Sequence, residues 1–278
     1  MKKEEQLIEL IEKSGNTFHY KVVNFLRGKE WFVRVSPYYN DNLTDKPREI
    51  DIIAEKSFGV YFFQDYIGTV NVKLFIECKF INSDTIFWFD NKDKEKAIER
   101  AMVDTGLDGP DKNTKIQSHR SMRNNEIAKL FVSSKEKAQE NEVVYKALNQ
   151  GLNAMVYYKN TGSIIPGSGY KKIFRTLNYP IIMCSDFNSF YQVKAVDENQ
   201  SIPKKIEDSF QFEINYAYVD KDKKNKTEYF LVDIVDFNKF EEFLKDIESS
   251  DIDAVKRNSE SEYVIQRSES QQNKNFFN

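Results

Sequence analysis

Two short stretches of this chain place charges where a strand interior should have none. In Val72-Lys73-Leu74-Phe75-Ile76-Glu77-Cys78-Lys79-Phe80, five of nine residues are strongly apolar, and the run reads as a buried strand. Glu77 and Lys79 are two residues apart, so a strand turns both to one face and turns Ile76, Cys78 and Phe80 to the other. Burying both charges costs several kcal/mol unless they are paired, hydrated or bound to a metal. Upstream, Asp51 is enclosed by apolar residues in Arg48-Glu49-Ile50-Asp51-Ile52-Ile53-Ala54. The aromatic, turn-prone segment from Phe58 to Val70, with Gly59 and Gly68, can bring the Asp51 strand beside the Glu77 strand. Two carboxylates and a lysine would then converge. That set suits Mg²⁺, a hard cation that takes one or two protein carboxylates and keeps waters for a substrate phosphate. A lysine beside it can orient or activate water, or hold a phosphate oxygen.

The triplet Asp/Glu-x-Lys is cheap in a chain that is 31% charged, and it recurs at Asp90–Lys92 and Asp222–Lys224. Those two lie in polar sequence and read as solvated charges. Only Glu77–Lys79 sits in an apolar strand with an embedded Asp upstream. The competing reading makes Glu77 and Lys79 an ion pair on a solvated sheet face, where such pairs are common and contribute little.

The pattern of Asp51 followed by Glu77-Cys78-Lys79 at the end of a hydrophobic strand resembles the PD-(D/E)xK, or restriction-endonuclease-like, nuclease superfamily. The resemblance covers roughly residues 10 to 195, with 46–54 as the second core strand. It implies an α/β fold, a central mixed β-sheet flanked by helices. It implies Asp51 and Glu77 as ligands of Mg²⁺ (with Mn²⁺ as a substitute) and Lys79 as an aid to the attacking water. It also implies a polar residue from the helix after the catalytic strand, here Gln150. Ile50 stands where many members have proline, and Thr17-Phe18-His19-Tyr20-Lys21 lacks the glutamate that many place on the first helix. The activity implied is metal-dependent phosphodiester hydrolysis, with DNA favoured over RNA and endonucleolytic cutting expected. A role as an effector in bacterial restriction or anti-phage defence follows from the family alone.

The 278 residues suffice for one large domain or two small ones, and 22 Phe and 15 Tyr supply a core. A net charge of −3 gives no general basic field, so nucleic-acid affinity must come from local patches, a protein partner or self-association. Cys78 and Cys184 lie in apolar runs and read as reduced core thiols of a cytoplasmic protein. Two His and two Cys argue against a structural zinc site. The first residues are too acidic for a signal peptide, and no apolar run approaches membrane-spanning length.

Along the chain, a helix over 3–13 carries Leu7, Ile8, Leu10 and Ile11 on one face. A second helix starts near Asn16 or Thr17, either of which could cap it, and ends at Gly28. His19 on that helix reads as structural. Strands are expected over 31–39, 49–55, about 60–66 and 71–80. Ile86-Phe87-Trp88-Phe89 reads as core, or as a stacking surface for a base. Residues 91–140 read as a charged, mostly helical insertion containing the basic cluster of Arg120 and Arg123. A strong helix spans 142–158. Lys171, Lys172 and Arg175 form a second basic cluster, and either cluster could contact phosphate. Strands follow at 179–185 and 189–196, the first completing a β-helix-β step. Residues 1–196 thus form the nuclease-like core. Residues 197–249 add a β-β-α extension or docking module, with Asp233 as a further carboxylate in an apolar strand. Residues 250–278 read as a disordered tail. The alternative function is a protein of the same fold that binds nucleic acid or a protein partner without cutting.

Overall fold

A strand buried on both faces must lie inside a sheet, and Val70, Val72, Leu74, Phe75 and Ile76 have no exposed surface. They belong to β5 (Asp65–Lys79), the longest strand in the computed structural model, which describes residues 3–13, 15–105, 118–134, 143–159, 173–194, 202–220 and 222–276. On one side β5 pairs antiparallel with β4 (Ile52–Phe62) through a tight turn in which Phe63 has a φ of 54°. These two long strands replace the three shorter ones expected between 49 and 80, because the ladder runs on past Gly59 and Gly68 with only a bulge between Val60 and Tyr61. On the other side β5 pairs parallel with β8 (Ile173–Cys184), in register from Gly68 with Ile173 to Lys79 with Cys184.

The remaining strands are β1 (Phe32–Val35), β2 (Tyr38–Asn40), β3 (Pro47–Glu49), β6 (Thr85–Asn91), β7 (Glu126–Ser133), β9 (Phe190–Lys194), β10 (Lys204–Lys205), β11 (Phe210–Val219) and β12 (Asn225–Asp236). Ten of the strands form one mixed sheet in the order β1-β4-β5-β8-β12-β11-β7-β6-β9-β10, and β2 and β3 form a separate antiparallel pair. The single strand expected over 31–39 is split between β1 and β2 at Ser36, whose φ is 51°.

Helices cover both faces. They are α1 (Lys3–Lys13), α2 (Asn16–Gly28), α3 (Lys94–Thr105), α4 (Val143–Tyr158), α5 (Phe240–Asp246) and α6 (Asp253–Phe276). α4 packs Leu148, Leu152 and Met155 with Ile53, Phe75, Ile182 and Ile234 on one face of the sheet. α2 and α5 pack Val22, Leu26 and Phe240 with Ile52, Ile76 and Val235 on the other. Gly15 occupies the N-cap of α2 without a side-chain hydrogen bond, so neither Asn16 nor Thr17 caps it; the Thr17 hydroxyl donates to the Ile11 carbonyl instead. Leu7, Ile8, Leu10 and Ile11 of α1 are each more than half exposed, so the expected apolar face is not packed.

Three other expectations change. Within 91–140 the chain forms α3 and then β7, and β7 lies inside the sheet between β11 and β6, so this segment is not a wholly helical insertion. Alternation along β6 sends Phe87 and Phe89 into the α4-side core, and a bulge at Lys129 of β7, opposite Trp88 and Phe89, lets Ala128 and Phe131 face it too. The β11–β12 hairpin lies in mid-sheet, with β12 parallel to β8. Residues 250–276 do not form a disordered tail. A π-helical turn (Ile247–Ile252) leads into α6, and Ile252, Val255 and Ser259 are buried. Their spacing is helical, but Ser, Glu and Gln among them obscure the periodicity.

Gly68 marks the tightest backbone approach. A Cβ there would lie 2.1 Å from the Ile173 carbonyl oxygen of β8, whereas a Cβ at Gly59 would meet only the ring of Tyr61. Gly68→Ala is expected to lower stability by about 2 kcal/mol or more through forced overpacking, and Gly59→Ala by less. Urea unfolding of the two variants checks this.

Candidate active site

The register that buries β5 also sets the charges. Asp51 lies one residue before β4, where the pairing of Ile52 with Ile76 carries it opposite Glu77. Ile53 and Phe75 face α4, so alternation places Asp51, Glu77 and Lys79 on that face. Ile52, Ile76 and Cys78 face the other way, as expected. The Lys79 ammonium donates to Glu77 Oε2 at 2.7 Å and lies 3.9 Å from Asp51 Oδ2. The Cys78 N–H donates to Asp51 Oδ2 at 2.7 Å. The three side chains grade from dry to wet, with Glu77 1%, Lys79 18% and Asp51 28% exposed. The structure therefore brings Asp51, Glu77 and Lys79 together, largely withdrawn from solvent and not on a solvated sheet face.

Among the described residues, Glu77 Oε1 is buried and has no hydrogen-bond partner. Burial pushes the Glu77 carboxyl up to about 7; Asp51 adds repulsion, while Lys79 and the Asp51 backbone N–H oppose the rise. Burial disfavours the Lys79 ammonium, but Glu77 and Asp51 outweigh it and its pKa is raised. Close to neutral pH, Glu77 is thus balanced between holding a proton and carrying a charge that lacks a full set of partners.

The donor set fits a hard divalent cation: two carboxylates from adjacent strands, one with an orphaned oxygen, open to solvent on the Asp51 side. Asp51 and Glu77 would hold Mg²⁺ or Mn²⁺, with water filling the other positions. Among the described residues there is no cluster of three or more His, Cys, Asp or Glu arranged for a metal.

His19 and Tyr39 border the site, and neither was a sequence candidate. His19 Nε2 lies 2.9 Å from the Asp51 carbonyl, which also accepts the Ser36 N–H at 2.8 Å, so α2 and the β1–β2 turn hold the Asp51 backbone. Burial raises the Tyr39 pKa, and Glu77 is the strongest charge acting on it. Both lay in expected elements, His19 in the second helix and Tyr39 at the end of a strand, but no local pattern pointed either toward Asp51. Gln150 on α4 reaches the same neighbourhood through the backbone, its Nε2 3.5 Å from the Glu49 carbonyl two residues before Asp51.

The proposed phosphate contacts fare differently. Lys171 and Lys172 lie outside the described residues. Arg175 pairs with Glu262 of α6 at 2.9 Å, and Arg123 pairs with Asp246. Arg120 is not a surface cation. It makes two hydrogen bonds of 2.8 and 2.9 Å with Asp233, lies 3.6 Å from Asp251, and stacks over Phe243 at 4.6 Å. Tyr179 donates to the same Asp251 at 2.8 Å. Burial alone would lower the Arg120 pKa, but Asp233 and Asp251 outweigh it and hold the charge. Asp233 therefore has an arginine partner supplied from far along the chain. Lys92, expected to be solvated, is buried; it donates to the Ser121 carbonyl at 2.7 Å, and burial lowers its pKa to about 8.

Compared with known proteins, the chain matches no family model, no curated protein and no solved structure. Among the described residues, no helix is long and apolar enough to cross a membrane.

Two outcomes follow. A carboxyl raised in the folded state favours folding below its ordinary range, and that advantage is lost as pH rises through about 7. In EDTA, thermal stability should therefore fall between pH 5 and 8 by more in the wild type than in Glu77→Gln. Over the same window the proton stops competing with metal, so calorimetry should find Mg²⁺ bound about tenfold tighter at pH 8 than at pH 6. Separately, Arg120→Ala should cost about 3 to 5 kcal/mol in urea unfolding by stranding Asp233 and Asp251, the effect of breaking a buried ion pair.

Proposed function

We propose that this protein is a metal-dependent nuclease that hydrolyses phosphodiester bonds, with DNA ahead of RNA and endonucleolytic cutting ahead of exonucleolytic. The observation that carries the reading is the buried, unpartnered Oε1 of Glu77, set beside Lys79 and opposite Asp51. Buried carboxylate oxygens are normally satisfied, so an unpartnered one beside a second carboxylate supports a role as a cation ligand. The chain order also supports the reading: α2, then β1, β4 and β5, then α4 and the parallel β8, follows the sequence of elements that the family resemblance implies.

When bound, Mg²⁺ would polarise the phosphate and lower the pKa of a coordinated water. The chain's own contribution is positional. Asp51 and Glu77 would fix the cation from two adjacent strands. The β5–β8 register holds the backbone of Lys79, and its ammonium faces both carboxylates, where it can orient a water or offset charge developing on the phosphate. His19 and Ser36 hold the Asp51 carbonyl and so keep its carboxylate in place. The second reading, a non-cutting protein of the same fold, rests on the pair standing alone, with no third acidic ligand among the described residues.

Plasmid, single-stranded DNA and RNA, each incubated with Mg²⁺, Mn²⁺ or EDTA, provide the test. Cutting should require metal and should fall by about a hundredfold or more in both Asp51→Ala and Lys79→Ala. Cutting that survives both substitutions would show the site to be elsewhere. Absence of both cutting and metal binding would favour the second reading.

A further inference from the structure

A cavity of about 390 Å³ opens between the β2–β3 pair and the first turns of α4. Its position links it to the candidate site. Tyr39, which feels the charge of Glu77, forms part of its wall, and so does Gln150, which contacts the Glu49 carbonyl. The volume lies in the range of a small-molecule site and is too narrow for a duplex.

The wall chemistry is specific. Arg48 and Lys146 are exposed cations at the rim, and the Arg48 ion pair with Asp41 is long at 3.9 Å. Asp41 is already engaged by the Leu43 and Thr44 N–H groups and the Thr44 hydroxyl. Gln150 on the wall reaches the Glu49 carbonyl at 3.5 Å, the limit of a hydrogen bond. Asn153 reaches Asp41 at 3.5 Å and the Asn42 N–H at 3.4 Å, and also hydrogen-bonds Tyr216. An amide held as loosely as Gln150 gains from a ligand with donors and acceptors on a planar edge. Half-buried Tyr145 offers a ring for that plane to stack on.

We propose that this cavity receives one unstacked nucleobase, so that the substrate is single-stranded or locally unpaired nucleic acid. The base stacks on Tyr145 and meets Gln150 with its edge. Its phosphate lies on Arg48 and Lys146, and the neighbouring phosphodiester is presented to Asp51 and Glu77. This inference rests on the nuclease reading and names its substrate class. A flipped or unpaired base held between an aromatic ring and hydrogen-bonding groups is a general solution for enzymes that act on nucleic acid.

The test measures fluorescence anisotropy of a short labelled single-stranded DNA and of its duplex, with Asp51→Ala protein in Mg²⁺ so that the probe stays intact. The single strand should bind about tenfold tighter than the duplex. Tyr145→Ala should weaken the single strand by about tenfold, the usual loss of one stacked base, and Tyr145→Phe should keep the affinity within about twofold. Equal affinity for single strand and duplex, or an unchanged affinity in Tyr145→Ala, would overturn the proposal. Calorimetry with Mg²⁺ on the wild type separates the two readings. Metal binding with a Tyr145-independent strand affinity would defeat the pocket alone. Tyr145-dependent strand binding without metal binding or cutting would uphold the pocket and defeat the nuclease.

Discussion

Glu77 is dry because β5 has neighbours on both sides and α4 above it. The antiparallel ladder to β4 and the parallel ladder to β8 leave no edge through which water could reach the carboxylate. Lys79 satisfies one oxygen, and among the described residues the other has no hydrogen-bond partner. That incomplete solvation is the uphill feature of the fold, and the sheet's length supplies the rigidity that maintains it. A proton completes the shell, which is why burial pushes the carboxyl up toward neutral pH.

The opposite face of the same sheet surrounds its buried carboxylates more fully. There Asp233 and Asp251 share Arg120, with Tyr179 and an aromatic ring filling the remaining directions. This set joins β12, the segment after α3 and the π-helical turn, so it ties the end of the chain to the middle of the sheet. Both faces bury carboxylates and a cation. Among the described residues, one arrangement surrounds its carboxylates with donors and leaves an arginine nitrogen without a hydrogen bond; the other leaves a carboxylate oxygen without one and is exposed at its rim.

The sequence was most legible where burial and period agreed. β5, α4 and the β11–β12 hairpin follow directly from apolar spacing, and the shared face of Glu77 and Lys79 follows from strand geometry alone. Register was harder to read. Whether β12 joined the sheet beside β8 or formed a separate module depended on long-range pairing that no local pattern encodes. Arg120 misled because a basic cluster looks the same whether its partners are phosphates or distant aspartates. The final helix was hidden by its polar residues, since Ser259 and Asn258 are buried without being apolar. The environment of Glu77 was legible in kind, but the orphaned oxygen and the adjoining cavity belong to three-dimensional placement.

A sheet of ten strands offers two open rims, each a template on which another chain could add a strand. Here one rim ends in β10, only two residues long and both of them lysine, and the other in the four-residue β1. Like-charged lysines meeting across two copies would repel, and four residues give too short a ladder to hold a stranger. The interior can therefore be long and apolar enough to bury a carboxylate without making the molecule a seed for its own polymerisation.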